Sequence, residues 1–266
     1  MIPRARVGFL LHTLHVMRVA SSASRNIMMS GSAAQSAIVF LHGSGDNGPN
    51  FKRWIGSQTF VKKLAAEGVH VEFPTAVPIS YTLFRGRKES VWFDRLEMDP
   101  SSPEQTASVE QSVGQLESLL DDLVASGVLP SRIAIGGFSM GGGIALQTAL
   151  RSKHALAGVF AMSSYMCDDA AVYRLLEEPS WSARSPPLRI WMAHGANDDF
   201  VLPAWGQSTA KRLSAVRGLE VSWRTYPRLR HELRSDELDD LNAFLTPLVL
   251  VAQGQAGSEA NDSKEL

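Results

Sequence analysis

One short stretch dictates most of what this chain can become: Gly136-Gly137-Phe138-Ser139-Met140-Gly141-Gly142-Gly143. It follows the apolar run Ile133-Ala134-Ile135 and leads straight into Ile144-Ala145-Leu146-Gln147-Thr148-Ala149-Leu150. A strand must therefore stop, turn sharply at Ser139 and become a helix. Such a turn holds its central residue in a strained backbone conformation that lifts the hydroxyl off the sheet. Glycine at 137 and 141 removes side chains that would collide there. The first N–H groups of the new helix, at the positive end of its dipole, then face whatever the hydroxyl meets. A G-x-S-x-G pattern is weak alone. At a strand–helix junction flanked by glycine it marks Ser139 as a candidate nucleophile.

The rest of the chain alternates strand and helix. Ile38-Val39-Phe40-Leu41 is a continuous apolar run, as a strand buried on both faces requires, and it ends in the turn-rich loop His42-Gly43-Ser44-Gly45-Asp46-Asn47-Gly48. A helix is predicted over about 56–67 and a strand over Val69-His70-Val71-Glu72-Phe73, stopped by Pro74. Residues 75–101 read as a long irregular segment. A helix follows, with Ser102 as N-cap, Pro103 first and Gln105 closing a capping box, its stripe carried by Val109, Val113, Leu116, Leu120 and Leu123 until Gly127. Beyond the Ser139 turn come strands at Leu156–Met162, Leu188–Ala193 and Glu220–Tyr226. Helices are predicted over about 205–217 and from near Ser235. This pattern predicts an α/β fold: one domain over 37–250, with a mostly parallel central sheet, helices on both faces and no large lid domain. Residues 1–36 hold Arg4, Arg6, Arg18 and Arg25 and no acid, a composition shared by disordered leaders and by organelle transit peptides. Residues 251–266 are polar and read as a disordered tail.

Composition narrows the function. A formal net charge of −1 gives no electrostatic reason to expect nucleic acid or an anionic membrane as partner. Cys167 is the only cysteine, so there is no intrachain disulfide framework and no Cys/His metal cluster, and a reducing compartment fits. No apolar run reaches the ~20 residues of a membrane-spanning helix.

A serine hydroxyl needs a base, and the base needs an acid to fix its tautomer. On a sheet of this kind the chain order is Ser, acid, His, each after a strand. Ser139, Asp198 and His231 satisfy that order, with Asp199 the rival of its neighbour. Of the other histidines, His42 lies before the serine, His70 and His154 sit in or beside regular elements, and His194 precedes the acid and reads as a support for its loop. Ser163, Ser164 and Cys167 lack the sharp turn and read as loop residues. The N–H of Met140 and the N–H of Ser44, on the glycine-rich loop after the first strand, are the expected donors to a developing oxyanion.

These residues resemble a family. Phe40-Leu41-His42-Gly43-Ser44-Gly45-Asp46, Val91-Trp92-Phe93-Asp94, Gly136-Gly137-Phe138-Ser139-Met140-Gly141-Gly142 and His231-Glu232-Leu233 are similar to the motifs of the acyl-protein thioesterase/carboxylesterase family of α/β-hydrolases, in the same order, over about 37–248. Ser44, Met140 and Asp199, where thioesterases usually carry Leu, Gln and Pro, match its lysophospholipase-like branch. The resemblance implies a single-domain α/β-hydrolase that cleaves short- to medium-chain esters or acyl thioesters, including S-acylated proteins, with no metal and no organic cofactor. It implies Asp198 rather than Asp199 as the acid. Trp92 is expected either to wall the acyl pocket or to pack in the core. A cytoplasmic monomer or weak dimer is expected, or a mitochondrial protein if residues 1–36 are an address. The rival readings are a module that binds acyl ligands or proteins without turnover, and a serine peptidase.

Overall fold

The computed structural model describes residues 35–178, 181 and 185–250. Residues 1–34 of the expected leader 1–36 and the tail 251–266 lie outside them, and with them the expectations placed there; the first strand begins at Ser36, one residue ahead of the expected domain start. Strands β1 (Ser36–Leu41), β2 (Val69–Glu72), β5 (Ile133–Phe138), β6 (Gly158–Met162), β7 (Leu188–Gly195) and β8 (Leu219–Tyr226) form one six-stranded sheet in the order β2-β1-β5-β6-β7-β8. Every neighbouring pair is parallel. Seven α-helices are found among the described residues.

The sheet is buried on both sides because its strands are apolar on both sides. In β1, Ala37, Val39 and Leu41 pack into one core with α3 (Thr106–Ala125) and α4 (Met140–Arg151). Ile38 and Phe40, pointing the other way, pack with α1 (Gly48–Ile55), α2 (Thr59–Ala66) and α7 (Ser235–Val249). The same period of two divides β7, with Ile190 and Met192 in the first core and Trp191 and Ala193 in the second. Because all six strands are parallel, the loops after β1, β5, β7 and β8 open on one rim. The order reverses direction between β1 and β5, and open α/β sheets bind ligands outside the strand ends at such a switch point.

Three local expectations need correction. The helix predicted over about 56–67 is α2, shorter at both ends, and a separate helix, α1, precedes it from Gly48, with the Asn47 side chain accepting from the N–H of Asn50 at 2.9 Å and Pro49 in the first turn. The segment 75–101 is not irregular throughout. It carries a hairpin of β3 (Ile79–Tyr81) and β4 (Arg87–Glu89), with Arg85 in the left-handed region at the turn. The long helix starts at Thr106, not at Pro103, and its N-cap Gln105 makes no side-chain cap bond. Glu104 is engaged elsewhere: its carboxylate accepts from Gln147 and from the N–H of Ala171, and its own N–H donates to Asp169. These bonds hold 103–105 toward α4 and the loop before α5 (Val172–Leu176), out of helical geometry.

Glu237, in the first turn of α7, is fully buried and neither carboxyl oxygen has a hydrogen-bond partner. Burial pushes its pKa up to about 8. A raised folded-state value means that the native state keeps a proton which the unfolded chain releases near 4.5. The stability this confers is complete below that pH and is lost as pH rises to about 8. Glu237→Gln should therefore match the wild type at pH 5 and exceed it at pH 8 by on the order of 3 kcal/mol, or roughly 6–10 °C in Tm. Thermal melts of both proteins at the two pH values test this, and an unchanged Tm difference between them would refute it.

Candidate active site

Ser139 adopts φ 54° and ψ −124°, a conformation that costs a non-glycine residue of order 1–3 kcal/mol. Its neighbours hold it there. Its N–H donates to the carbonyl of Met162 at 2.8 Å, and its carbonyl accepts from Gly142 at 3.0 Å. The flanking glycines are required mainly by the neighbouring strand. A Cβ on Gly137 would stand 2.3 Å from the Leu41 carbonyl oxygen, and one on Gly141 2.3 Å from the same atom. Backbone of β1 cannot step aside without breaking the sheet. Gly141→Ala should thus cost about 2–4 kcal/mol, read as the shift in a denaturant midpoint. A midpoint unchanged from the wild type would contradict this packing.

The hydroxyl of Ser139 lies 3.0 Å from Nε2 of His231, and Nδ1 of His231 lies 2.8 Å from Oδ2 of Asp198. The imidazole sits between two rings, Phe138 at 4.7 Å and Phe200 at 5.0 Å between centroids. The Asp198 side chain is fully buried and its carboxylate accepts three hydrogen bonds. Oδ1 accepts from the N–H groups of Phe200 at 3.0 Å and Val201 at 2.9 Å. Oδ2 faces His231 and, at 3.4 Å, Nε2 of His194. Burial alone would raise the carboxyl. The donors on His194, His231 and Val201 outweigh it and hold Asp198 well below the usual carboxylate range. Asp199 is exposed and pairs with Arg230 at the surface, away from the imidazole.

The remaining histidines are placed by their partners. His194 is fully buried, and its Nε2 donates to the Val201 carbonyl at 2.9 Å. Gly206 makes room for its ring, since a Cβ there would stand 2.6 Å from Nδ1. His42 donates from Nδ1 to the Gly43 carbonyl and accepts at Nε2 from the Ala76 N–H at 3.1 Å. Burial lowers its pKa, so it is a neutral brace for the loop. Burial also pushes the Cys167 thiol up to about 11, which leaves no thiolate at neutral pH. Ser163 and Ser164 are buried.

Beside Ser139 opens a cavity of about 390 Å³, lined by Gly43, Ser44, Asp46, Phe51, Tyr81, Leu83, Phe84, Met98, Phe138, Ser139, Phe200 and His231. Tyr81, Leu83 and Phe84 of the β3–β4 hairpin form one side of its wall, which is mostly apolar. Trp92 is not part of that wall. It is fully buried, and its indole N–H donates to the His42 carbonyl at 2.9 Å, fixing the loop after β1 from behind. The sequence offered no sign of the lining by Phe84, Met98 and Phe200, because these residues reach the cavity only through loop paths that local pattern does not encode. The contact of His194 with Asp198 was visible in principle as an i, i+4 spacing from the end of β7 into the loop that follows it. Among the described residues no group of three His, Cys, Asp or Glu side chains could hold a metal ion, and no helix is long and apolar enough to cross a membrane.

A parallel sheet that ends in a glycine-flanked serine turn, with an acid loop after β7 and a histidine loop after β8, is the architecture of an α/β-hydrolase. The family model described as phospholipase/carboxylesterase matches residues 22–249. The chain belongs to that family and is a hydrolase of its type. It is 35% identical over 221 residues to mouse lysophospholipase-like protein 1, covering 83% of this chain and 90% of that protein. It is 31% identical over 214 residues to acyl-protein thioesterase 1 of Neurospora crassa, covering 79% and 85%. The crystal structure of Zea mays acyl-protein thioesterase 2 superposes with a TM-score of 0.71 at 25% identity, over 82% of this chain and 95% of that one. Arabidopsis thaliana SOBER1 shares the fold, with a TM-score of 0.70 at 24% identity over 81% and 99%.

Proposed function

We propose that Ser139, His231 and Asp198 form a catalytic triad that hydrolyses short- to medium-chain carboxylic esters or acyl thioesters, S-acylated proteins included. The observation that carries this reading is the unbroken row from hydroxyl to imidazole to buried carboxylate. Ser139 Oγ attacks the acyl carbon and its proton passes to His231 Nε2. The carbonyl π electrons move to oxygen, where the N–H groups of Met140 and Ser44 receive them. Collapse expels the alcohol or thiol, which takes the proton from His231. Water then attacks the acyl-enzyme by the same route and frees the acid. Asp198 keeps the imidazole in the tautomer that accepts at Nε2. The apolar cavity wall suits a hydrocarbon acyl chain, and no cofactor enters the scheme.

The first test is labelling with a fluorophosphonate probe. Wild type should be labelled, with the adduct mapped to the peptide containing Ser139, and an adduct elsewhere would sink the assignment. A series of p-nitrophenyl esters and acyl-CoA thioesters of increasing chain length then places the optimum. The protein is proposed to work in the cytoplasm as a monomer or weak dimer. Imaging with and without residues 1–28 tests the location, and import into mitochondria driven by the leader would replace it.

A further inference from the structure

We propose that the side-chain hydroxyl of Ser44 is a third donor to the oxyanion, beside the two backbone N–H groups; this rests on the triad reading above. The loop that carries Ser44 lies against the nucleophile. A Cβ built on Gly43 falls 3.5 Å from the Ser139 Cβ, in ordinary van der Waals contact. Ser44 is exposed and opens into the cavity. Its hydroxyl donates to Sδ of Met140 at 3.6 Å. A thioether is a weak acceptor, so turning that O–H toward a negative oxygen forfeits little and gains a charge-assisted bond. Met140 is the residue after the nucleophile, so the donor starts within one side chain of where charge develops.

Tyr81 lines the same cavity as Ser44. Tyr81 is buried on the hairpin and keeps its proton. Its phenol is therefore a donor available to Ser44 Oγ while Ser44 donates onward, and a donor chain of this kind polarises its last member. In such a chain the hairpin does more than wall the cavity. It presents the phenol that readies Ser44. When the Ser139 Oγ–carbon bond forms, the carbonyl pair moves to oxygen and the Ser44 O–H swings from sulfur to that oxygen. No proton leaves Ser44.

The test is steady-state hydrolysis of p-nitrophenyl butyrate by full-length wild type, Ser44→Ala, Ser44→Thr and Tyr81→Phe. Ser44→Ala keeps the backbone N–H and loses only the hydroxyl. Its kcat should fall about 50- to 200-fold with KM within twofold, as for loss of one oxyanion donor. Ser44→Thr should recover to within about fivefold of wild type, and Tyr81→Phe should lose roughly 3- to 10-fold. Affinity for a butyl trifluoromethyl ketone, whose hemiketal oxygen imitates the oxyanion, should fall in Ser44→Ala in step with kcat/KM. A Ser44→Ala kcat within threefold of wild type overturns the proposal, as does an equal loss in the Ala and Thr variants. If turnover survives Ser139→Ala, the triad reading fails and this inference with it. If turnover needs Ser139 but not the Ser44 hydroxyl, this inference alone fails.

Discussion

Ser139→Ala is expected to reduce kcat for p-nitrophenyl butyrate by about 10⁴- to 10⁶-fold, the range seen when a triad nucleophile is removed. KM should change little, because the cavity wall and the backbone donors remain. The size of the loss follows from the chemistry. Without Oγ no acyl-enzyme forms, and water must attack directly with only the oxyanion donors and binding to help it. The fold should be intact. Alanine can take the same strained φ, and the bonds from the Ser139 N–H to Met162 and from Gly142 to the Ser139 carbonyl involve backbone alone. Equal thermal melts beside a collapsed rate would be the signature. Turnover within tenfold of wild type would mean that another nucleophile does the work. Cys167 is disfavoured in that role by its raised pKa.

The parts of the fold legible in the sequence are those where one face or two were buried in register. Ile38-Val39-Phe40-Leu41 could only be a strand covered on both sides, and β1 is the second strand in from the sheet edge. The glycines at 137 and 141 announced the turn, although their reason is partly non-local: the carbonyl of Leu41, nearly 100 residues earlier in the chain, occupies the space. Long-range capture of polar groups defeated local rules elsewhere. Ser102-Pro103-Glu104-Gln105 has the pattern of a helix start, yet Glu104 is claimed by Gln147 and Ala171 and the helix begins later. The β3–β4 hairpin was missed because each strand is three residues long, too short to show a period of two. Of the site, chain order pointed to Ser139 and His231, and the structure brings them together. Which of two adjacent aspartates faces the imidazole is a matter of one residue's rotation in a loop. Only the resemblance, and then the geometry, separated Asp198 from Asp199.

That separation leads to the second large effect. Asp198→Asn should lower kcat by about 10⁴-fold, while Asp199→Asn should stay within twofold of wild type. The amide has two ways to sit, and the hydrogen bonds choose between them. If its oxygen took the Oδ2 position, its NH₂ would face the N–H groups of Phe200 and Val201, setting donor against donor twice at about 3 Å. The oxygen therefore takes the Oδ1 position, and the NH₂ is turned toward Nδ1 of His231, which leaves only one donor–donor contact, the longer one of 3.4 Å to Nε2 of His194. His231 must then accept at Nδ1 and carry its proton on Nε2, where it points at Ser139 Oγ and cannot take the hydroxyl proton. The loss arises from a tautomer locked by two backbone amides rather than from a missing charge alone. Asp199 has no such part, since its carboxylate pairs with exposed Arg230. Steady-state rates of the two variants decide the matter, and a protein that tolerates Asn at 198, or suffers equally from Asn at 199, does not work by this triad.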